Sequence, residues 1–71
     1  MIWRRDQRVI VPGFGLMDGE FTFWVGRIDG LLRRFRVEAG LMSGWMPMAD
    51  FRWDPAGERW VHKDLPLDVT P

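Results

Sequence analysis

Cysteine is absent from this chain of 71 residues, and histidine occurs once. Without thiols the chain can form neither disulfides nor thiolate metal sites, and one imidazole cannot build a histidine cluster. By surface scaling, a chain of this length buries only about 60% of its unfolded surface, so it folds with little margin. We expect one small domain without cofactor or metal, stabilised by tight turns, aromatic packing or a partner.

An excess of one charge and a long apolar run are also missing. Ten basic residues balance ten acidic ones, so no global field directs the chain to nucleic acid or to an anionic membrane. The longest bulky aliphatic run is Val9, Ile10 and Val11, whereas a spanning helix needs about 20 apolar residues. The charged residues 1–6 are not followed by the apolar segment of a signal peptide. We expect no membrane span, no secretion by a signal peptide, and a cytoplasmic location, or a virion if the chain is phage-encoded.

Residues for catalysis are scarce. Ser43 and His62 are the only serine and histidine, and the sequence around Ser43 is not a nucleophile elbow. The Gly-x-Gly at 13–15 follows an apolar run, but no helix pattern follows to bind a pyrophosphate. Five of the ten carboxylates lie at predicted turns, which explains their positions without acid–base chemistry. We expect a protein that is not an enzyme, with no catalytic residues and no small-molecule substrate.

Turn signals dominate what the sequence does contain. Asp18-Gly19 and Asp29-Gly30 are pairs favoured in two-residue type I′ hairpins, which leaves 20–28 as one strand. A two-residue loop at Asp29-Gly30 places Trp24 opposite Phe35 and separates two faces. The face predicted to point to the core carries Thr22, Trp24, Ile28, Leu31, Phe35 and Val37. The other carries Phe21, Phe23, Val25, Arg27, Leu32, Arg34, Arg36 and Glu38.

A third hairpin is predicted over 51–62. Pro55 presets φ at the first turn position, and Gly57 can take the left-handed conformation of a bulge. With a strand at 8–11, the chain is predicted to be mainly β: a single small domain of about five short antiparallel strands in a meander or a half-open SH3-like or OB-like barrel. The β domain is expected to span 1–63, and 64–71 to form an extended C-terminal arm.

The turn of this third hairpin resembles a single repeat of the YD-type (RHS) family. Residues 51–59 follow the pattern of that repeat, which is aromatic, aromatic-Asp, Gly and then Arg. The resemblance covers about nine residues, and the family's repeats occur in long arrays. It implies the geometry of one hairpin and no function.

An apolar connection and the C-terminal arm are the candidate partner surface. Residues 39–49 lack a strand or long-helix pattern and combine three methionines with a tryptophan. Flexible methionine together with rigid tryptophan is typical of adaptable binding surfaces. The alternative is that this segment caps an open barrel end and buries Leu41 and Trp45. The arm alternates apolar residues and can lie along a partner's sheet edge. The predicted partner-binding residues are Met42, Trp45, Met46, Met48, Leu65, Leu67 and Val69.

Two functions follow from these features. The first is a protein–protein interaction module: an accessory or structural subunit of a larger assembly, for example a phage particle, a homo-oligomer, or a small inhibitor that docks on one protein. The alternative is single-stranded nucleic-acid binding by a strand face that carries Phe23, Arg27, Arg34 and Arg36. The competing interpretation of this face is structural, with arginine stems lying over buried rings.

Overall fold

A six-stranded mixed sheet forms the fold. The computed structural model describes residues 2–13 and 19–66. Within these ranges the elements are β1 (Arg8–Pro12), β2 (Glu20–Asp29), β3 (Arg34–Ala39), β4 (Met42–Pro47), the 3-10 turn η1 (Met48–Asp50), β5 (Phe51–Asp54) and β6 (Arg59–His62). The strand order is β4-β3-β2-β1-β6-β5. The prediction of one small, mainly β domain is confirmed.

The structure differs from the predicted architecture in its details. The described residues form six strands where about five were predicted, and the sheet is not closed into a barrel, with β4 and β5 at its edges. One pair, β1 with β6, is parallel. The reason is that the β5–β6 hairpin does not extend the meander beyond β4 but packs beside β1. The strand β1 therefore has a neighbour on both sides.

The aliphatic run of β1 explains this central position. Val9, Ile10 and Val11 are all buried, which is typical of a strand covered on both faces rather than on one. Val9 and Val11 belong to the main core, and Ile10 points to the opposite face because side chains alternate along a strand.

The main core lies on one side of the sheet, here called the core face. Its buried members are Val9, Val11, Phe23, Val25, Phe35, Val37, Phe51 and Trp60. The segment before β1 covers part of this face. Trp3 stacks on Trp60 with the ring centroids 3.6 Å apart and the planes 3° from parallel. It also lies 4.4 Å from the ring of Phe35.

The register of β2 against β3 overturns the predicted faces. Phe35 lies opposite Ile28, not Trp24, so the loop has four residues rather than two. The register then shifts between Val25 and Arg27. A one-residue bulge reverses the alternation of side chains beyond it. The side chains of β2 that precede Gly26 therefore point to the faces opposite those predicted.

The consequences for individual side chains follow from that bulge. Phe23 and Val25 are buried in the core, whereas Trp24 and Thr22 are exposed on the opposite face. Leu31 lies exposed in the loop. The assignment of Phe35 and Val37 to the core is correct.

The β2–β3 loop and the β5–β6 loop have the same hydrogen-bonding arrangement. The Asp29 carboxylate accepts two backbone N–H groups of its own loop and the Nε–H of Arg34 at 3.3 Å. The Asp54 carboxylate repeats this arrangement, with Arg59 Nε at 3.1 Å. The shared sequence is Arg-x-Asp, four loop residues, Arg and an aromatic residue, at 27–35 and at 52–60. Trp3 lies between the two aromatic residues that end these segments.

The left-handed position of the third hairpin is Glu58, not Gly57. Glu58 has φ 52°, as has Arg33 in the matching loop. The Gly57 N–H donates to the Asp54 carboxylate, and the left-handed residue comes one position later, at Glu58. Glycine is needed at 57 for another reason, because a Cβ there would lie 2.8 Å from the Asp54 carboxylate.

The connection 39–49 and the connection from β1 to β2 differ from their predictions. The connection 39–49 contains a strand, β4, which the sequence pattern did not indicate. Gly13 N–H donates to Gly19 C=O at 2.7 Å, so a longer connection than a two-residue turn joins β1 to β2. Asp18 lies outside the described residues, as do 67–71 of the predicted arm.

Candidate functional site at the β4 edge

The strand β4 lies at an edge of the sheet, and within residues 2–13 and 19–66 no strand pairs with its outer side. Met48 N–H donates to Arg33 C=O at 2.9 Å, and Ala39 and Met42 are partners across a two-residue loop. In an antiparallel ladder, successive residues direct their N–H and C=O groups alternately to opposite sides. The even-numbered residues of β4 therefore face β3, and the backbone groups of Ser43 and Trp45 point away from it.

An apolar cavity of about 240 Å³ lies on the core face directly beside this edge. Met42, Gly44 and Met46 of β4 line one side of it, and Phe23 and Val37 lie among its other lining residues. Pockets for drug-sized ligands typically measure about 300–1,000 Å³. The cavity is smaller and suits one or two apolar side chains.

Gly44 keeps the cavity open toward the edge. A Cβ built on this residue meets nothing within 4 Å, and Gly44 pairs with buried Val37 on β3. A Cβ at Gly44 would therefore meet open space beside the cavity.

His62 is a polar residue in the cavity wall, which Ser43 also lines. His62 is buried, and its Nδ1 accepts the backbone N–H of Asp64 at 3.1 Å. The neutral ring then carries its proton on Nε2. Ser43 Oγ, in contrast, accepts a hydrogen bond from Arg36 Nη2 at 2.8 Å on the opposite face. The single serine and histidine side chains therefore do not form a nucleophile–base pair.

The structure divides the predicted partner residues between two faces. Met42 is 55% exposed at the cavity rim and Met46 is half-buried in its wall. Trp45 is 43% exposed but lies on the opposite face. Met48, in η1, packs against the core.

The predicted arm is described only in part. Leu65 is half-buried, and its C=O accepts a hydrogen bond from Arg52. Leu67 and Val69 lie outside the described residues, so their part in partner binding stays a prediction.

The predicted nucleic-acid face is assembled differently from the sequence prediction. Phe23 is buried on the core face and does not share a surface with Arg27, Arg34 and Arg36. Trp24, missed by the sequence reasoning, takes its place on the opposite face. The sequence signal for this exposure is Gly26, because a glycine within a strand pattern often marks a bulge.

Two carboxylates in hairpin loops have a lowered pKa. The largest cause for Asp29 is the Leu32 backbone N–H, which lowers its pKa; burial opposes it, and Arg34 and the Leu31 N–H add to the lowering. For Asp54, burial acts to raise the pKa, but the Gly57 N–H, Arg59 and a further backbone N–H together outweigh it. Both side chains are therefore ionised at neutral pH and neutralise one arginine each.

Comparison with protein-family models, with curated protein sequences and with solved structures finds no match to the chain. Across residues 2–13 and 19–66, no helix has the length and apolar character to cross a membrane. In the same ranges no three histidine or carboxylate side chains gather where a metal ion could be held. Function is therefore argued from the geometry of the sheet.

Proposed function

We propose that the chain is a non-enzymatic protein–protein interaction module that binds an extended segment of a partner protein along β4. The observation that carries the proposal is the open edge of β4 with an apolar cavity immediately beside it. Such a module suits an accessory or structural subunit of a larger assembly, as in a phage particle, or a small inhibitor.

The edge supplies the main-chain part of this recognition. A partner strand beside β4 can exchange hydrogen bonds with the outward N–H and C=O groups of Ser43 and Trp45. Strand addition of this kind draws affinity from main-chain bonds and specificity from pockets for alternate side chains. Pro47, which lacks an N–H, ends the open stretch.

The cavity supplies the side-chain part. Residues of an added strand alternate between the two faces, so every second side chain of the partner lies on the core face next to Gly44. An apolar side chain there can enter the cavity between Met42 and Met46. The partner segment is therefore expected to carry apolar residues at alternate positions.

The experiment is selection of binding peptides from a displayed random library, followed by measurement of Kd for the best peptide. Ser43→Pro removes an outward N–H without breaking the β3–β4 ladder, and Ser43→Ala is the matched control that keeps it. One lost main-chain bond is worth about 1 kcal/mol, so we expect binding about fivefold to tenfold weaker for S43P than for S43A.

A second pair of variants tests the cavity. Gly44→Leu fills the cavity from its open side, whereas Gly44→Ala leaves most of it empty. We expect G44L to abolish peptide binding while its thermal unfolding stays at or above that of G44A, because leucine is the better strand residue. Equal peptide affinity in both pairs would overturn the proposal, as would a library that yields no specific peptide.

A further inference from the structure

The surface opposite the core face combines exposed tryptophan with arginine. Trp24 on β2 is 45% exposed and Trp45 on β4 is 43% exposed. Between them, on β3, lies Arg36, which pairs with Arg27 on one side and with Trp45 on the other. We call this surface, formed by Trp24, Arg27, Arg34, Arg36 and Trp45, the Trp/Arg face.

Two arginines of this face lie side by side, and within residues 2–13 and 19–66 neither forms an ion pair with a carboxylate. Arg27 and Arg36 are direct cross-strand partners, and like charges at such positions destabilise a sheet. An anion seated between the two guanidinium groups removes that cost. Guanidinium forks bind phosphate in a bidentate manner, so a phosphate is the anion that fits.

The charge around this pair differs from the balanced charge of the whole chain. Arg8 lies beside Trp24 on β1, but its Nη2 donates to the Gly57 C=O of the β5–β6 loop, so the basic side chains here are Arg27, Arg34 and Arg36. The carboxylates among them are Asp29, which is held by Arg34 at 3.3 Å, and Glu38. The face therefore keeps a local positive surplus.

The tryptophans supply partly exposed aromatic rings at the same place. Arg34 covers one face of the Trp45 ring, with its Cζ 4.5 Å from the centroid, so a base can stack only on the other face. From strand geometry, the Trp24 and Trp45 Cα atoms are about 12 Å apart, two strands across and two residues along. Exposed aromatic rings flanking a basic groove stack unpaired bases, whereas paired bases are already stacked.

We infer that the Trp/Arg face binds single-stranded nucleic acid, with bases stacked on Trp24 and Trp45 and phosphates held by Arg27 and Arg36. This inference does not depend on the proposed peptide site: the apolar cavity lies on the core face, and Trp45 gives its backbone to the peptide site but its ring to the Trp/Arg face. The cavity variant Gly44→Leu is expected to bind oligonucleotides as the native chain does.

The test is fluorescence anisotropy with labelled oligothymidylate and oligouridylate of about 12 nucleotides, within the length covered by small β domains. Two phosphate contacts, one at Arg27 and one at Arg36, predict a roughly sevenfold loss of affinity between about 50 and about 200 mM salt. We expect Trp24→Ala to weaken binding at least about fivefold, while Trp24→Phe retains most of it.

Arg5→Gln is the control for Arg27→Gln, because Arg5 is an exposed arginine outside the sheet. We expect R27Q to weaken binding several-fold and R5Q to leave it near the native value. Far-UV circular dichroism checks that each variant is folded. The inference is overturned if R5Q and R27Q weaken binding equally, if W24A binds normally, or if no binding occurs at low salt. Equal affinity for duplex DNA, heparin or anionic vesicles would also overturn it, by showing general attraction to polyanions.

Discussion

Trp3 is expected to contribute a large part of the domain's stability. Its ring stacks on Trp60, contacts Phe35 and meets Phe51 edge-on at 6.2 Å. Large aromatic side chains bury about 150–250 Å², worth about 4–6 kcal/mol at about 25 cal/mol per Å². Trp3 is only partly buried, so we expect Trp3→Ala to cost about 3–4 kcal/mol.

That loss is large for a chain of 71 residues, whose total stability is expected to be about 4–11 kcal/mol. The assay is urea unfolding followed by circular dichroism. Trp24→Ala is the matched control because Trp24 is the same residue type but 45% exposed; we expect it to cost less than about 1 kcal/mol. A similar cost for W3A and W24A would refute the role assigned to the stack.

Two further predictions concern turns and the bulge. Because folding lowers the pKa of Asp29 and Asp54, their contribution to stability is present above the unfolded-state pKa of about 4 and is lost as the pH falls below it. Thermal unfolding over an acid pH series should therefore show a steeper loss for the native chain than for Asp54→Asn; parallel curves would contradict this. At the bulge, a Cβ on Gly26 would lie 2.2 Å from Glu38 Cδ, so Gly26→Ala should cost about 1 kcal/mol. Addition of Glu38→Ala should recover most of that loss in a double-mutant cycle, and no recovery would place the strain elsewhere.

Local patterns were enough to predict much of the fold. The hairpin over 51–62 and the alternation of Phe35 and Val37 depend on neighbouring residues and turn chemistry, and the structure contains both. The aliphatic run of β1 also indicated a strand. Each of these features depends on residues close together in the sequence and not on contacts with distant residues.

Other features depend on contacts between distant residues. The bulge at Gly26 is set by how β2 fits between β1 and β3, and it moves Trp24 and Phe23 to the faces opposite those expected. The strand β4 was missed because Met, Gly and Pro weaken its pattern, although Gly40 with φ 60° supplies a two-residue turn before it. The stack of Trp3 on Trp60 joins segments far apart in sequence.

The candidate sites were predicted in part. Met42 and Met46 do line one surface with an apolar cavity, because residues two apart on a strand (42, 44 and 46) share a face. Trp45 falls on the other face for the same reason. The arginines were found, but their aromatic neighbour was misassigned because the bulge reversed β2.

Amide hydrogen exchange at the β4 edge tests the central claim most directly. The outward N–H groups of Ser43 and Trp45 should exchange slowly once a selected peptide is bound, while those of Gly44 and Met46, already bonded to β3, should change little. Saturating peptide that leaves exchange at Ser43 and Trp45 unchanged would contradict strand addition at β4.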